Sequence, residues 1–164
     1  MAVAIEAVRE YFRQFGIEDR IREFEVSSAT VELAAQAVGV QPARIAKTLS
    51  FRVDGGAVLI VAAGDAKIDN AKFKAQYHQK ATMLSPDEVV GLVGHAVGGV
   101  CPFAVKEGVT VDLDVSLRRF ESVFPAAGSS NSAIELTIPE LERYANSRGW
   151  VDVCKNWQET VAQG

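Results

Sequence analysis

The residues of this chain that could do chemistry gather in a few short stretches. In "VGGVCPF", Val97–Phe103, Gly98 and Gly99 stand together, Val100 and Cys101 follow, and Pro102 closes the group. Adjacent glycines let a backbone approach a ligand closely and adopt positive φ. A proline just beyond stiffens the exit, and such a loop can turn backbone N–H groups toward a developing oxyanion. The same residues would also make a tight turn between two buried segments. Cys101 offers a second chemistry, a thiol nucleophile served by His95 or His78. Pro102 pushes Cys101 toward extended geometry, away from the helix N-terminus that often lowers a thiol pKa. Lys47 opens the alternating stretch "KTLSFRV" with Thr48 beside it. A lysine there has a fixed stem and a mobile ammonium, useful at a pocket and equally at home in solvent. Ser129, Ser130, Asn131 and Ser132 are short polar residues suited to a sieve around a small ligand, or to a surface loop. No Ser/His/Asp pattern is present. His78 and His95 stand apart in sequence from each other and from both cysteines, so no metal is expected.

Elements can be placed around these residues. Ile5, Val8, Phe12 and Phe15 recur at helical steps. "IREFEV" (21–26) reads as a short strand and "TVELAAQAV" (30–38) as a helix. "TLSFRV", the turn "DGG" and "AVLIVAA" make an antiparallel hairpin whose second strand is apolar throughout, as expected for a central strand covered on both faces. Asp69 can cap a helix near 70–79. "SPDE" and "TIPE" are capping boxes, the second opening a helix through about Arg148. "VTVDLD" and "AIELTI" are further strands. Without a regular βαβ rhythm or a GxGxxG, the pattern predicts an α+β fold.

The chain has 164 residues, 48% of them hydrophobic, and suggests one domain. Charged residues interrupt every apolar run, so no membrane span is expected. The N-terminal stretch reads as an amphipathic helix rather than a signal peptide. Two cysteines do not make a disulfide framework, and a reducing cytoplasm is expected. A net charge of −4 argues against broad binding to nucleic acid, DNA in particular, yet leaves room for a local basic patch. The densest basic run is Lys67, Lys72, Lys74, His78 and Lys80, a solvated helix face or a contact for RNA.

Taken in order, "ATVELAAQAVGV", "RIAKTLSF", "VAAGDAKID", "VGGVCPF", "VDLDVSL" and "SAIELTIPEL" resemble the YbaK/EbsC family, which includes the editing insertion domain of bacterial prolyl-tRNA synthetases. The resemblance covers nearly the whole chain. It implies a compact single domain over residues 1–164, with a mixed, mostly antiparallel sheet surrounded by helices. It implies an aminoacyl-tRNA deacylase acting in trans on mischarged tRNA without metal or other cofactor, with a prolyl-tRNA synthetase as a candidate partner. Lys47 then matches the family's essential lysine and Gly98–Pro102 its GxxxP loop. Phe24 stands where an aromatic often borders the pocket, and Thr48, Gly128, Asn131 and Ser132 become substrate-binding candidates. Lys67, Lys72, Lys74 and Lys80 become candidates for tRNA. Ala133 replaces an Asp that many cysteine-editing members carry before Ile-Glu-Leu, so cysteine specificity is not implied. A non-catalytic binding module of the same fold is the alternative.

Overall fold

A computed structural model describes residues 3–157 of the chain. Helix α1 (Val3–Arg13) leads through a 3-10 turn to the short strand β1 (Arg22–Glu23) and helix α2 (Val31–Val38). Strands β2 (Ile45–Val53) and β3 (Gly56–Ala63) form the long hairpin. Its turn uses positive φ at Asp54 and Gly55, the pair that suits a two-residue connection. Then come β4 (Lys67–Ile68), α3 (Asn70–Tyr77), α4 (Pro86–Leu92), β5 (Thr110–Asp114), a 3-10 turn over Val115–Arg119 and β6 (Ser122–Pro125). These are followed by β7 (Ser132–Ala133), β8 (Leu136–Thr137), α5 (Ile138–Tyr144), β9 (Trp150–Val151) and β10 (Cys154–Lys155).

The main sheet runs β8-β6-β2-β3-β5-β9, mixed in direction, and two ribbons, β1-β7 and β10-β4, lie apart from it. The hairpin, β6–β8 and both ribbons are antiparallel, whereas β2–β6, β3–β5 and β5–β9 are parallel. Strand β3 is central, as its apolar run predicts. Leu59, Val61 and Ala63 enter a core with Phe12, Phe103, Leu113, Ile134 and Leu141. Val58, Ile60 and Ala62 enter a second core with Phe51, Phe73 and Tyr77. The two-residue period of a strand divides these residues between the faces. Full burial of a side chain such as Phe73 contributes about 1.5–3 kcal/mol. The expected caps are present. Asp69 accepts from the Lys72 N–H, and Ser85 with Glu88 and Thr137 with Glu140 form reciprocal capping boxes.

Three elements differ from the pattern's prediction. "IREFEV" pairs only at Arg22–Glu23, opposite Ser132–Ala133. "AIELTI" is cut in two because its first part joins β1 while its second joins β6. Helix α5 stops at Tyr144, not near Arg148. Asn146 turns into positive φ, the Arg148 N–H donates to the Val111 carbonyl, and its guanidinium grips Asp112. Tertiary contacts override helix propensity there.

Candidate functional site

The site begins with a gap in the sheet. On its outer side β2 pairs with β6 only at Ile45 and Ala46. Further along, Leu84 N–H donates to the Ser50 carbonyl and Arg52 N–H to the Thr82 carbonyl. Between these contacts no strand lies beside Lys47, Thr48 and Leu49 among the described residues. The N–H and C=O of one strand residue point to the same side and alternate along the chain. Since Ser50 and Arg52 bond outward, Thr48 also turns its N–H and C=O into the gap.

A cleft of ≈ 330 Å³ occupies this gap. Residues of both faces of β2, Ala46 through Ser50, line it because it runs along an edge. The other walls are Ser28–Thr30 before α2, the loop residues Val97, Gly98 and Val100, and Ser132–Ala133 of β7. Lys47 is the one charged residue among those lining it. Thr48 Oγ1 is buried and has no hydrogen-bond partner among the described residues. An unmet buried hydroxyl costs about 1–3 kcal/mol, which a ligand group could relieve.

Lys47 is not the mobile strand-end lysine expected from sequence. It is the third residue of β2, and its Nζ donates to the Ala66 carbonyl and, at 3.5 Å, reaches that of Gly64. Burial pushes its pKa below the ordinary lysine value, partly countered by Cys154 and Asp65. An ammonium has three donors, so two carbonyls leave one N–H for a ligand.

The glycine loop is built as its residues suggest. Gly98 sits at φ +94°, which L side chains rarely adopt, while a tight turn sends Gly99 N–H to the Ala96 carbonyl at 3.0 Å. Neither Gly98 N–H nor Val100 N–H has a partner among the described residues. Gly99 lies against the backbone of Ser129, where a Cβ would come within 2.8 Å. The two loops therefore interlock.

The fold also joins residues that sequence spacing kept apart. His95 and Cys101, both buried, meet with Nε2 3.5 Å from Sγ, correcting the expectation that the histidines stand clear of the cysteines. This is the geometry a cysteine hydrolase would need, but its chemistry is wrong. His95 Nε2 lies 2.8 Å from the Phe103 carbonyl, an acceptor only, so Nε2 must carry the proton and cannot take one from the thiol. Burial pushes the Cys101 thiol up to about 12 and the His95 imidazole down. The pair closes the base of the loop from within. Among the described residues no group of three or more His, Cys, Asp or Glu could hold a metal.

Other candidates are dispersed. Thr48 and Ser132 line the cleft, whereas Gly99, Gly128 and Asn131 line a neighbouring cavity of ≈ 610 Å³. Phe24 does not line the cleft. Its N–H donates to the Asn131 carbonyl, and its own carbonyl accepts from Asn131 Nδ2, tying β1 to the serine-rich loop. Cys101 and Pro102 lie buried outside the cleft lining. Lys67 is on β4; Lys72 and Lys74 are on α3, with Lys80 just beyond. Lys72 is already engaged by Asp152 and the Cys154 carbonyl. Sequence reasoning did not single out Ser28–Thr30, Leu84 or Val89 as cleft residues. Only the chain path brings them there.

A mixed sheet with a small cleft at an open edge, one half-buried lysine and a positive-φ glycine loop defines a class of protein already met in the sequence motifs. The chain belongs to the aminoacyl-tRNA editing domain family, whose model matches residues 25–144. It is 55% identical to the uncharacterized protein YwhH of Bacillus subtilis (strain 168), over 95% of this chain and 100% of that protein. The proline–tRNA ligase of Lysinibacillus sphaericus (strain C3-41) is 26% identical over 76% of this chain, a region that is 22% of the ligase. A crystal structure provisionally described as a trans-editing enzyme for prolyl tRNA synthetase superposes with a TM-score of 0.84 at 26% identity, covering 95% of this chain and 99% of that one.

Proposed function

We propose that this editing domain, as one unit over the whole chain, acts in trans to hydrolyse the ester between a small wrong amino acid and the terminal adenosine of tRNA. Ala, Cys, Ser and Thr on tRNA(Pro) are the first substrates to test. The observation that carries this reading is the cleft at the open edge of β2. Its volume is at the small end for ligand pockets, and its walls are neutral apart from Lys47, mixing short residues such as Ser28, Ala29, Gly98 and Ser132 with apolar ones such as Leu49 and Phe124. A synthetase pocket rejects a ligand one methylene smaller by only about 1–3 kcal/mol, so a second, smaller pocket has work to do.

The chemistry needs few parts. A water oxygen attacks the ester carbonyl carbon, and the carbonyl oxygen becomes an oxyanion facing the free N–H groups of Gly98 and Val100. The carbon–oxygen bond to the ribose then breaks. The ribose oxygen leaves with a proton that the attacking water gave up, and free amino acid and tRNA result. Ribose hydroxyls and loop backbone position the water; the remaining N–H of Lys47 holds the terminal phosphate or orients that end by charge. Thr48 offers its hydroxyl, N–H and C=O to the amino-acid end. Lys67, and Lys155 directly opposite it in the β4–β10 ribbon, are like charges in register, an arrangement that a phosphate backbone would relieve. With Lys74 and Lys80 they form the surface for tRNA, and a prolyl-tRNA synthetase complex would deliver it.

The test is a deacylation screen of the purified chain against tRNA(Pro) carrying each of those amino acids. Release of at least one, with Pro-tRNA(Pro) spared, supports the reading. Tight binding of mischarged tRNA without turnover would leave a binding module instead.

A further inference from the structure

We infer that Asp65 and Arg119 are positioning residues that hold the Lys47 ammonium at the cleft, through the turn after β3. The inference rests on the reading of Lys47 given above. Both carbonyls that meet Lys47 Nζ, Gly64 and Ala66, belong to this turn, and Asp65 lies between them. Arg119 grips Asp65 with both arms of its guanidinium, Nη1 to Oδ2 at 2.9 Å and Nη2 to Oδ1 at 2.5 Å. Its Nε donates to the Ser116 carbonyl at 2.9 Å, so all three guanidinium nitrogens are engaged. The rings of Phe120 and Trp157 flank it at 4.8 and 5.2 Å.

The anchor continues into the core. Ser116 Oγ accepts from the Ala63 N–H at 3.1 Å, at the end of β3. Asp114, fully buried, accepts from the N–H groups of Ser116 and Val153. The other side of the turn is fixed by close packing. A Cβ on Gly64 would fall 2.0 Å from the Pro42 carbonyl oxygen and 2.7 Å from a Val31 methyl. The turn is thus pinned on one side by packing and on the other by a bidentate ion pair. A partly exposed ion pair contributes little to stability in general. Here its geometry aims two carbonyls at one lysine. The titratable groups facing Lys47 are Cys154, Asp65, Lys67 and Glu32, and of the two carboxylates Asp65 acts the more strongly on it.

The experiment follows Lys47 directly. The ¹⁵Nζ resonances of lysine-labelled protein are recorded against pH, with Lys47 assigned by its absence in Lys47→Arg. Three proteins are compared: wild type, Asp65→Asn and Arg119→Lys. Asp65→Asn removes a negative charge that favours the ammonium, so Lys47 should titrate at lower pH than in wild type. Arg119→Lys keeps the charge but loses the fork, so the Lys47 signal should shift and its Nζ protons exchange faster with water. Deacylation of mischarged tRNA should fall tenfold or more in both, chiefly in kcat if Lys47 orients the reacting end. Folded variants in which the Lys47 resonance, titration and exchange match wild type would overturn the inference, whatever their activity. A shifted Lys47 in a protein whose wild type never deacylates would support the positioning and defeat the functional reading. Should Asp65→Asn prove unfolded, Asp65→Glu, which keeps the charge but moves the carboxylate outward, should shift the Lys47 signal and speed its exchange, and a match to wild type in both would overturn the inference.

Discussion

Gly98→Ala separates strain from steric block at the loop. An added Cβ would lie 3.4 Å from Ala29 Cβ and 3.6 Å from Ser130 Cβ, ordinary contacts that displace nothing. The penalty is conformational, because φ +94° disfavours an L residue by about 1–2 kcal/mol. For a chain of this size that predicts a melting temperature lower by roughly 2–8 °C. If the variant holds the native loop, the methyl enters the cleft wall. If it relaxes φ, the N–H groups of Gly98 and Val100 turn away from the ester. Loss of one oxyanion donor typically lowers rates about 10²–10³-fold, and a drop of that size in single-turnover deacylation is expected. Gly98→Val should be worse on both measures. The comparison is Gly99→Ala, whose Cβ collides with Ser129 backbone, so its damage should appear first in stability. The backbone mechanism is refuted by a Gly98→Ala protein whose Val100 amide resonance has moved from its wild-type position, the mark of a relaxed loop, yet which turns over at the wild-type rate with saturating tRNA.

Other expectations follow from the same geometry. Cys101 is buried with its thiol pushed up to about 12, so iodoacetamide at pH 8 should leave it unmodified, and Cys101→Ala should keep most activity; mass spectrometry and deacylation check both. His95 is held neutral by burial below its ordinary value of 6.5, so the unfolded chain binds a proton there first as pH falls. Stability should therefore decline below pH 6.5, and His95→Gln should flatten that decline in melting curves recorded from pH 7.5 to 5. Reversing Lys67 and Lys155 to Glu should weaken tRNA binding and reduce its salt dependence, while hydrolysis of a minimal aminoacyl-nucleotide stays near wild type. Lys47→Ala should abolish most deacylation and remain folded by circular dichroism; wild-type turnover would remove Lys47 from the mechanism.

Local rules carried the sequence reading far. Ser85 with Glu88, Thr137 with Glu140 and Asp69 are caps because the backbone donors they satisfy lie within a turn. The central strand was legible from Ala57–Ala63 because burial on both faces removes any polar alternation. The parts that depend on chain path were not legible. Nothing local tells that Lys47 reaches the carbonyls beyond β3, that Arg119 closes on Asp65, or that His95 turns onto Cys101 and Phe103. The motif "VAAGDAKID" carried the resemblance without revealing that its Asp65 is the partner of Arg119. Phe24 shows the opposite failure, since its position in the motif order implied a pocket wall while the fold gave its backbone to Asn131.

The three-residue gap beside β2 bears on solubility. Unpaired strand edges invite other chains to add on and seed aggregates. Here the open stretch is bounded by Pro125, which has no N–H to extend a ladder, and by the Thr82–Leu84 crossing at the other end. Three residues offer an incoming strand few ladder bonds, and the glycine loop and the start of α2 line the same gap. Backbone polar groups can thus stay available to a small ligand while a neighbouring polypeptide finds no template. Lengthening the gap, for instance by deleting Met83, would put those two demands in conflict.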